Sequence, residues 1–191
     1  TWKIPSKLQE LHEAGLDLII VAVANAGSGR RRSQEYSWFK SDGNPSGKGS
    51  DFLSFMCKEL IPKLESTYKT IPGKRGIMGS SLGGLISIQA LIEHPDIFQL
   101  GGIFSASFWF NPESMEESYL SRIQKNQKLY LIIGENEGGG IPMANDQRKA
   151  SAILNNYLPK DHIHAEVFSD GEHKEWFWAR EFVPAVKFLY N

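Results

Sequence analysis

Short apolar runs alternate along the chain with stretches in which apolar residues recur at the spacing of a helix face. The run at 16–25 (LDLIIVAVAN) is rich in β-branched residues and predicts a strand that is buried on both faces. The segment 51–68 instead places Phe52, Met56 and Leu60 on one stripe, which predicts a helix. By the same reasoning we expect further strands at 75–81, 100–107, 128–136 and 162–170, and further helices at 5–15, 82–94, 113–125, 145–158 and 175–190.

This order of elements predicts an α/β fold. Strands that alternate with helices form a mostly parallel central sheet, which the helices cover on both faces. The segment 27–49 is polar and rich in Gly and Ser, so it is expected to be a long loop. Because no repeat, linker or abrupt change of composition divides the sequence, we expect residues 1–191 to form a single domain.

The composition narrows the range of partners and compartments. With a formal net charge of -1, the chain carries no excess charge that would attract nucleic acid or an anionic membrane. No apolar run reaches the length of a membrane span, and the single cysteine, Cys57, cannot form a disulfide within the chain. These features predict a cytoplasmic protein that binds neither nucleic acid nor membrane.

The strongest local motif is the segment 79–84 (GSSLGG), which follows a predicted strand and begins a predicted helix. This context fits the G-x-S-x-G nucleophile elbow, in which a serine lies on a sharp, strained turn. Gly79 and Gly83 would leave room for the close approach of the backbone. Ser81 is therefore a candidate nucleophile, and the backbone N–H of Leu82 is a candidate oxyanion donor at the helix N-terminus.

A hydroxyl nucleophile needs a general base, and one of the five histidines has a suitable position. His173 lies between the last predicted strand and the last predicted helix, where α/β-hydrolases carry their base. The other four are expected to pack or to face solvent: His12, His94, His162 and His164. The pair at 162 and 164 has no clear third ligand, so we predict neither a metal site nor a cofactor.

The acid of a Ser-His-acid triad would come from the loop after the strand at 128–136. Its carboxylate would accept a hydrogen bond from the His173 ring and hold the useful tautomer. Glu135, Glu137 and Asp146 are all candidates, and spacing alone does not choose among them. The glycine run at 138–140 could let the loop fold back toward the sheet, which mildly favours Glu137. Asp170 is too close to the base in sequence to be preferred.

Four segments together carry a resemblance to a known family: 32–37 (RSQEYS), 79–84 (GSSLGG), 104–109 (FSASFW) and 170–176 (DGEHKEW). Over nearly its whole length the chain resembles the putative-esterase family of α/β-hydrolases, which includes esterase D, enterochelin-type esterases and mycolyltransferases of the antigen 85 type. The resemblance implies that Ser81 is the nucleophile, His173 the base and Glu137 the acid.

The same resemblance implies roles for residues around these three. Ser107 and Trp109 would line the substrate pocket together with Trp176. Arg32 and Glu35 would form a structural ion pair that braces the pocket loop.

One part of the family pattern is absent from this sequence. In the family, a strand and an Asp-Gly-type loop precede the segment that begins here at Trp2. The strand lies between those predicted here at 16–25 and 75–80, and the loop gives the second oxyanion N–H. We therefore expect the 191 residues to be the C-terminal portion of a longer protein, without its N-terminal strands.

These observations predict a serine carboxylic-ester hydrolase that works through an acyl-enzyme. Its small-molecule substrate would be a sugar ester, an aromatic acyl ester or a siderophore-type ester. The main alternative within enzymes is acyl transfer by the same triad. The alternative from another class is a catalytically silent binding module that keeps the fold.

Overall fold

The central feature is a sheet of four parallel strands, seen in a computed structural model that describes residues 2–25, 27, 29–38, 47–141 and 143–191. The strands lie in the sheet in the order in which they occur along the chain, β1-β2-β3-β4. They are Gly76–Ser80 (β1), Leu100–Phe104 (β2), Lys128–Gly134 (β3) and Ile163–Phe168 (β4). All four fall within predicted strands.

The helices of the described chain precede, connect and follow these strands. The α-helices are Ile4–Glu13 (α1), Arg30–Glu35 (α2), Gly49–Phe55 (α3), Ile61–Thr67 (α4), Leu82–Glu93 (α5), Glu117–Leu120 (α6), Met143–Tyr157 (α7) and Glu175–Tyr190 (α8). A π-helical segment, Met56–Leu60, joins α3 to α4, and short 3₁₀ turns lie at Phe108–Phe110, Pro112–Met115 and Lys160–His162. Among the described residues, no helix combines the length and apolar character that crossing a bilayer requires.

The core lies on both faces of the sheet because successive strand residues point in opposite directions. On β3, Leu129 and Leu131 face the larger apolar cluster, which includes residues of α5 and α7. Tyr130 and Ile132 face the other side, where they pack with apolar side chains of α8. This two-sided cover confirms the predicted α/β architecture with a parallel sheet.

The prediction of a strand at 16–25 is wrong for the chain as it stands. This segment has no regular secondary structure, and the backbone of 17–25 makes no hydrogen bond with any other described backbone group. Leu16, Leu18 and Ile20 pack beside α1 and α8, whereas Ile19 and Val21 are 53% and 43% exposed. The apolar run is therefore strand-like in its alternation, but within the described part of the chain no neighbour pairs with its N–H and C=O groups. That a strand upstream of the segment fills this place stays a prediction.

Two other predicted elements differ from the structure. The expected helix at 113–125 is reduced to the 3₁₀ turn at Pro112–Met115 and the single turn of α6. The expected loop at 27–49 contains the short helix α2 and the start of α3, while residues 39–46 lie outside the described part of the chain. The segment 27–49 lacks the long apolar stripe from which helix boundaries are predicted.

Candidate active site

Ser81 lies in the turn that joins β1 to α5. Its backbone has φ 61° and ψ -125°, a conformation that costs a non-glycine residue about 1–3 kcal/mol. The turn is possible because Gly79 has no side chain: a Cβ there would overlap the backbone carbonyl group of Gly83. The local geometry is thus that of a nucleophile elbow, and the role of Ser81 as nucleophile stays a prediction.

The backbone N–H of Leu82 begins α5 directly beside the serine. The first N–H groups of a helix have no acceptor within the helix, and no described residue accepts a hydrogen bond from this one. A free N–H at a helix N-terminus favours a negative oxygen. Leu82 can therefore serve as the predicted oxyanion donor.

Glu137 follows β3, and both oxygens of its buried carboxylate have hydrogen-bond partners. One oxygen, Oε1, accepts hydrogen bonds from the Gly134 N–H at 2.8 Å and from the Ser105 hydroxyl at 2.9 Å. The other oxygen, Oε2, lies 2.7 Å from His173 Nδ1. The Glu137 side chain is 0% exposed. This carboxylate is therefore held in one orientation, with Oε2 directed at the imidazole.

The other carboxylates considered in the sequence have different partners. Glu135 forms an exposed ion pair with Arg148. Asp146 lies buried on α7, where burial raises the pKa of its carboxyl. Asp170 pairs with Arg180, whose guanidinium donates hydrogen bonds to it and lowers the pKa of the carboxyl. None of these three forms a hydrogen bond with the imidazole, and among the described carboxylates only Glu137 does.

His173 lies in the loop between β4 and α8, with its side chain 35% exposed. Its ring forms a T-shaped pair with the Trp178 indole, at 5.1 Å between ring centroids and an interplanar angle of 87°. Two glycines allow this loop to approach the end of β3. A Cβ on Gly134 would overlap the Gly171 carbonyl, and a Cβ on Gly171 would lie 2.7 Å from Gly134 Cα. Side chains at either position would separate the imidazole from its carboxylate.

Each of the four strands delivers one residue of this site at its carboxyl end. Ser81 follows β1, Ser105 follows β2, Glu137 lies in the turn after β3, and His173 lies in the loop after β4. Because the strands are parallel, these ends meet at one edge of the sheet. The nucleophile candidate and the imidazole therefore belong to the same edge.

The predicted contact between Ser81 and His173 is not made in this structure. Among the described residues, the Ser81 hydroxyl has one hydrogen-bond partner, the Ser107 hydroxyl at 3.2 Å. The Ser107 N–H also donates to the Ser81 carbonyl oxygen at 3.2 Å. Catalytic hydrogen bonds are often long or absent before substrate binds, so this geometry is compatible with a serine that turns toward the imidazole.

The residues that the resemblance assigns to the pocket differ in their exposure to solvent and in their neighbours. Ser107 is buried beside Ser81, as its hydrogen bonds show. Trp176 is 45% exposed and lines a shallow groove next to His173 together with Trp178. Trp109 is 42% exposed and packs against Phe110. Two large aromatic surfaces are thus open to solvent.

The ion pair between Arg32 and Glu35 that the resemblance implies stays a prediction. Both residues lie on the short helix α2, where the Arg32 guanidinium is positioned over the Tyr36 ring at 5.7 Å. This contact with an aromatic face is a favourable one for a cation. The described residues also contain no group of three or more His, Cys, Asp or Glu placed to hold a metal ion.

Sequence reasoning missed several residues that shape the site. Ser105 lies at φ 46° and is fully buried, with its hydroxyl between Glu137 and the Trp178 indole. The facing glycines, Gly134 and Gly171, also gave no signal by themselves. The segment 104–109 was recognised as a motif, but nothing in its letters shows that Ser105 is the residue with a left-handed backbone.

A parallel sheet covered on both faces, with a strained serine turn at its carboxyl edge, defines the α/β-hydrolase class. Within this class the chain belongs to the family described as "Putative esterase", whose model matches residues 1–189. This match confirms the resemblance that the sequence motifs carry.

Three comparisons place the chain among individual proteins. It is 25% identical to YbbA of Bacillus subtilis (strain 168) over 163 residues, which are 76% of this chain and 61% of that protein. It is 32% identical to the ferri-bacillibactin esterase BesA of the same organism over 97 residues, 48% of this chain and 34% of BesA. Its fold is similar to the crystal structure of the BES protein from Bacillus cereus, with a TM-score of 0.69 at 19% identity, covering 87% of this chain and 68% of that one.

The chain spans only part of the curated relatives that it matches, about three fifths of YbbA and one third of BesA. The structural likeness, at 19% identity, shows the fold alone.

Proposed function

We propose that this protein hydrolyses carboxylic esters through an acyl-enzyme, with Ser81 as nucleophile, His173 as general base and Glu137 as the acid. One observation carries the proposal: the 2.7 Å contact between Glu137 Oε2 and His173 Nδ1 at the edge where the strained Ser81 turn also lies. A buried carboxylate that accepts from one ring nitrogen leaves the other nitrogen free to accept a proton. Membership of the esterase family supports the same reaction class.

The first half of the proposed reaction forms the acyl-enzyme. His173 Nε2 takes the proton of the Ser81 hydroxyl as its oxygen attacks the ester carbonyl carbon. The carbonyl oxygen becomes an oxyanion, which accepts a hydrogen bond from the Leu82 N–H. The tetrahedral intermediate collapses, its bond to the alcohol oxygen breaks, and His173 gives the proton to the leaving alcohol.

The second half releases the acid. His173 removes a proton from a water molecule, whose oxygen attacks the acyl carbon of Ser81. When the second intermediate collapses, the proton returns to the serine oxygen and the carboxylic acid leaves. Glu137 stabilises the imidazolium in both halves without taking its proton.

The substrate that we favour is an ester with an aromatic acyl group. Trp176 and Trp109 present large exposed ring surfaces, and the first of these lines the groove beside His173. Aromatic side chains bury much apolar area and stack on other rings. The relative BesA is a ferri-bacillibactin esterase by name, which supports testing siderophore-type esters together with sugar esters and simple acetates.

The test is to replace Ser81 by Ala and to measure both turnover of p-nitrophenyl acetate and labelling by a fluorophosphonate probe. We expect turnover to fall at least about 10³-fold, and the probe to label the unmodified protein at Ser81 but not the variant. Ser118→Ala, which changes an exposed serine on α6, is the matched control and should leave both readouts unchanged. Retained turnover in Ser81→Ala would refute the nucleophile, and an unlabelled, inactive parent protein would favour the silent binding module.

A further inference from the structure

Ser105 lies in the turn after β2, where its side chain contacts the acid of the candidate site. Its side chain is 0% exposed, and its N–H donates to the Ile132 carbonyl at 2.7 Å, which extends the pairing of β2 with β3. Its φ of 46° then turns the chain out of the sheet. Two residues further along the chain, Ser107 contacts Ser81 through its hydroxyl and through its backbone N–H.

The direction of the hydrogen bonds around the Ser105 hydroxyl is fixed by its partners. The Trp178 indole N–H can only donate, and it lies 2.9 Å from Ser105 Oγ. An ionised carboxylate can only accept, so the hydroxyl proton must point to Glu137 Oε1, which is also 2.9 Å away. The result is a directed series of hydrogen bonds from Trp178 to Ser105 and from Ser105 to Glu137.

The two oxygens of the Glu137 carboxylate have different partners. Oε1 is occupied by Ser105 and by the Gly134 N–H, whereas Oε2 faces His173 Nδ1. If Oε1 lost the hydroxyl, one backbone N–H alone would hold that oxygen in place. The orientation of the imidazole therefore depends on a residue that does not touch it.

The backbone of Ser105 adds a second indication that its side chain is used. At φ 46° a glycine would meet no steric penalty, whereas residues with a Cβ adopt this conformation at a cost. The chain has glycine at other left-handed positions, such as Gly138 and Gly139. A serine at this strained position makes physical sense when its hydroxyl contributes more than the strain costs.

We propose that Ser105 is a positioning residue whose hydroxyl fixes the Glu137 carboxylate and, through it, the Nδ1–H tautomer of His173. This inference rests on the proposed function for its effect on activity, but its effect on the imidazole is independent of any substrate. Ser105 acts only through its hydrogen bonds and takes part in no covalent step.

Two substitutions separate the hydroxyl from the backbone strain. Ser105→Ala keeps the Cβ and removes the hydroxyl, while Ser105→Gly removes the hydroxyl and relieves the strain. We expect kcat for p-nitrophenyl acetate to fall about tenfold to hundredfold in both variants, with KM within about twofold, because a hydrogen bond to a charged group is lost. Wild-type kcat in Ser105→Gly would overturn the proposal, since the backbone turn alone would then suffice.

The second readout follows His173 directly. The ¹⁵N chemical shifts of its ring nitrogens report which nitrogen carries the proton, and we expect a mainly Nδ1–H tautomer in the parent protein at high pH. Both Ser105 variants should shift the population toward Nε2–H, and Trp178→Phe should cause a smaller shift because the serine hydroxyl is kept. Identical tautomer populations in all four proteins would overturn the proposal even if activity changed.

The control is Ser114→Ala, which removes another fully buried serine hydroxyl. This hydroxyl donates a hydrogen bond to the Asn111 carbonyl at 2.6 Å, and neither residue belongs to the candidate site. It should lower the urea midpoint of unfolding without moving the His173 tautomer or kcat. If the parent protein proves to have no esterase activity, the proposed function fails, whereas the tautomer comparison still decides whether Ser105 positions the imidazole.

Discussion

Glu137 and Ser81 lie at the same edge of the sheet but in very different surroundings. The carboxylate is buried and its two oxygens have partners from three residues, Gly134, Ser105 and His173. The Ser81 hydroxyl has a single partner among the described residues, the hydroxyl of Ser107. The acid side is thus arranged in advance, which avoids reorganisation during the reaction. On the proposed mechanism, the less constrained Ser81 hydroxyl turns to the imidazole when an ester binds.

The strongest challenge to this comparison is Glu137→Gln, which keeps the shape of the acid and removes its charge. A glutamine amide can offer its NH₂ group to the imidazole and favour the wrong tautomer, so we expect kcat to fall about 10³- to 10⁴-fold. Steady-state kinetics with p-nitrophenyl acetate measures the loss. Glu135→Gln is the matched control, since Glu135 is exposed and paired with Arg148, and it should change kcat by less than about twofold.

If both glutamine variants lost activity equally, the acid would not be Glu137. If neither variant lost activity, catalysis would not depend on a carboxylate beside His173. The different surroundings of Glu137 and Ser81 would then have no effect on the reaction.

A smaller effect should come from the backbone of the nucleophile side. Gly79→Ala places a methyl group against the carbonyl of Gly83, and we expect the free energy of unfolding to fall by about 1–3 kcal/mol from overpacking. Urea denaturation at equilibrium measures this change. Gly83→Ala is the control because a Cβ there meets nothing within 4 Å. Alanine also suits a helix better than glycine, by about 1 kcal/mol.

Equal stability of the two alanine variants would show that the turn is not as tight as described. The strain at Ser81 would then lack its structural cause.

The smallest effect concerns the outer support of the His173 loop. The Arg180 guanidinium donates hydrogen bonds to Asp170 and holds the pKa of this carboxyl below its ordinary value. A lowered pKa in the folded state means that the pair stabilises the fold above the ordinary carboxyl pKa of about 3.9, and that this contribution disappears as the pH falls below it.

We therefore expect Asp170→Asn to lower the urea midpoint slightly at pH 7, because the pair is exposed, and to lower it progressively less as the pH falls below about 3.9. A difference that does not shrink as the pH falls would mean that the loop is held by something other than this charge.

The sequence was most informative where a local rule fixes the structure. The elbow at 79–84 needs small residues between a strand and a helix, so Ser81 could be placed from the letters alone. The order of elements gave the α/β fold and placed Ser81 and His173 after strands. The choice of Glu137 came from the family resemblance, since three nearby carboxylates fitted the spacing equally well.

The remaining features depend on contacts between distant segments. An apolar run such as 16–25 becomes a strand only when a neighbour pairs with it, and its own residues do not show whether that neighbour is present. The closeness of Gly134 to Gly171 and the hydroxyl of Ser105 beneath Glu137 arise from tertiary packing. Neither contact can be predicted from the spacing of apolar and polar residues along the chain.

The parallel order of the strands also has a consequence for how this fold tolerates change. All four site residues lie at carboxyl ends, so the amino ends meet at the opposite edge, and the residues that directly precede each strand carry no part of the site. An insertion at an exposed position of that edge, such as Lys125 between α6 and β3, is therefore expected to leave the geometry of the candidate site intact. The molecule thus separates the edge that carries the candidate site from an opposite edge where changes of length lie far along each strand from it.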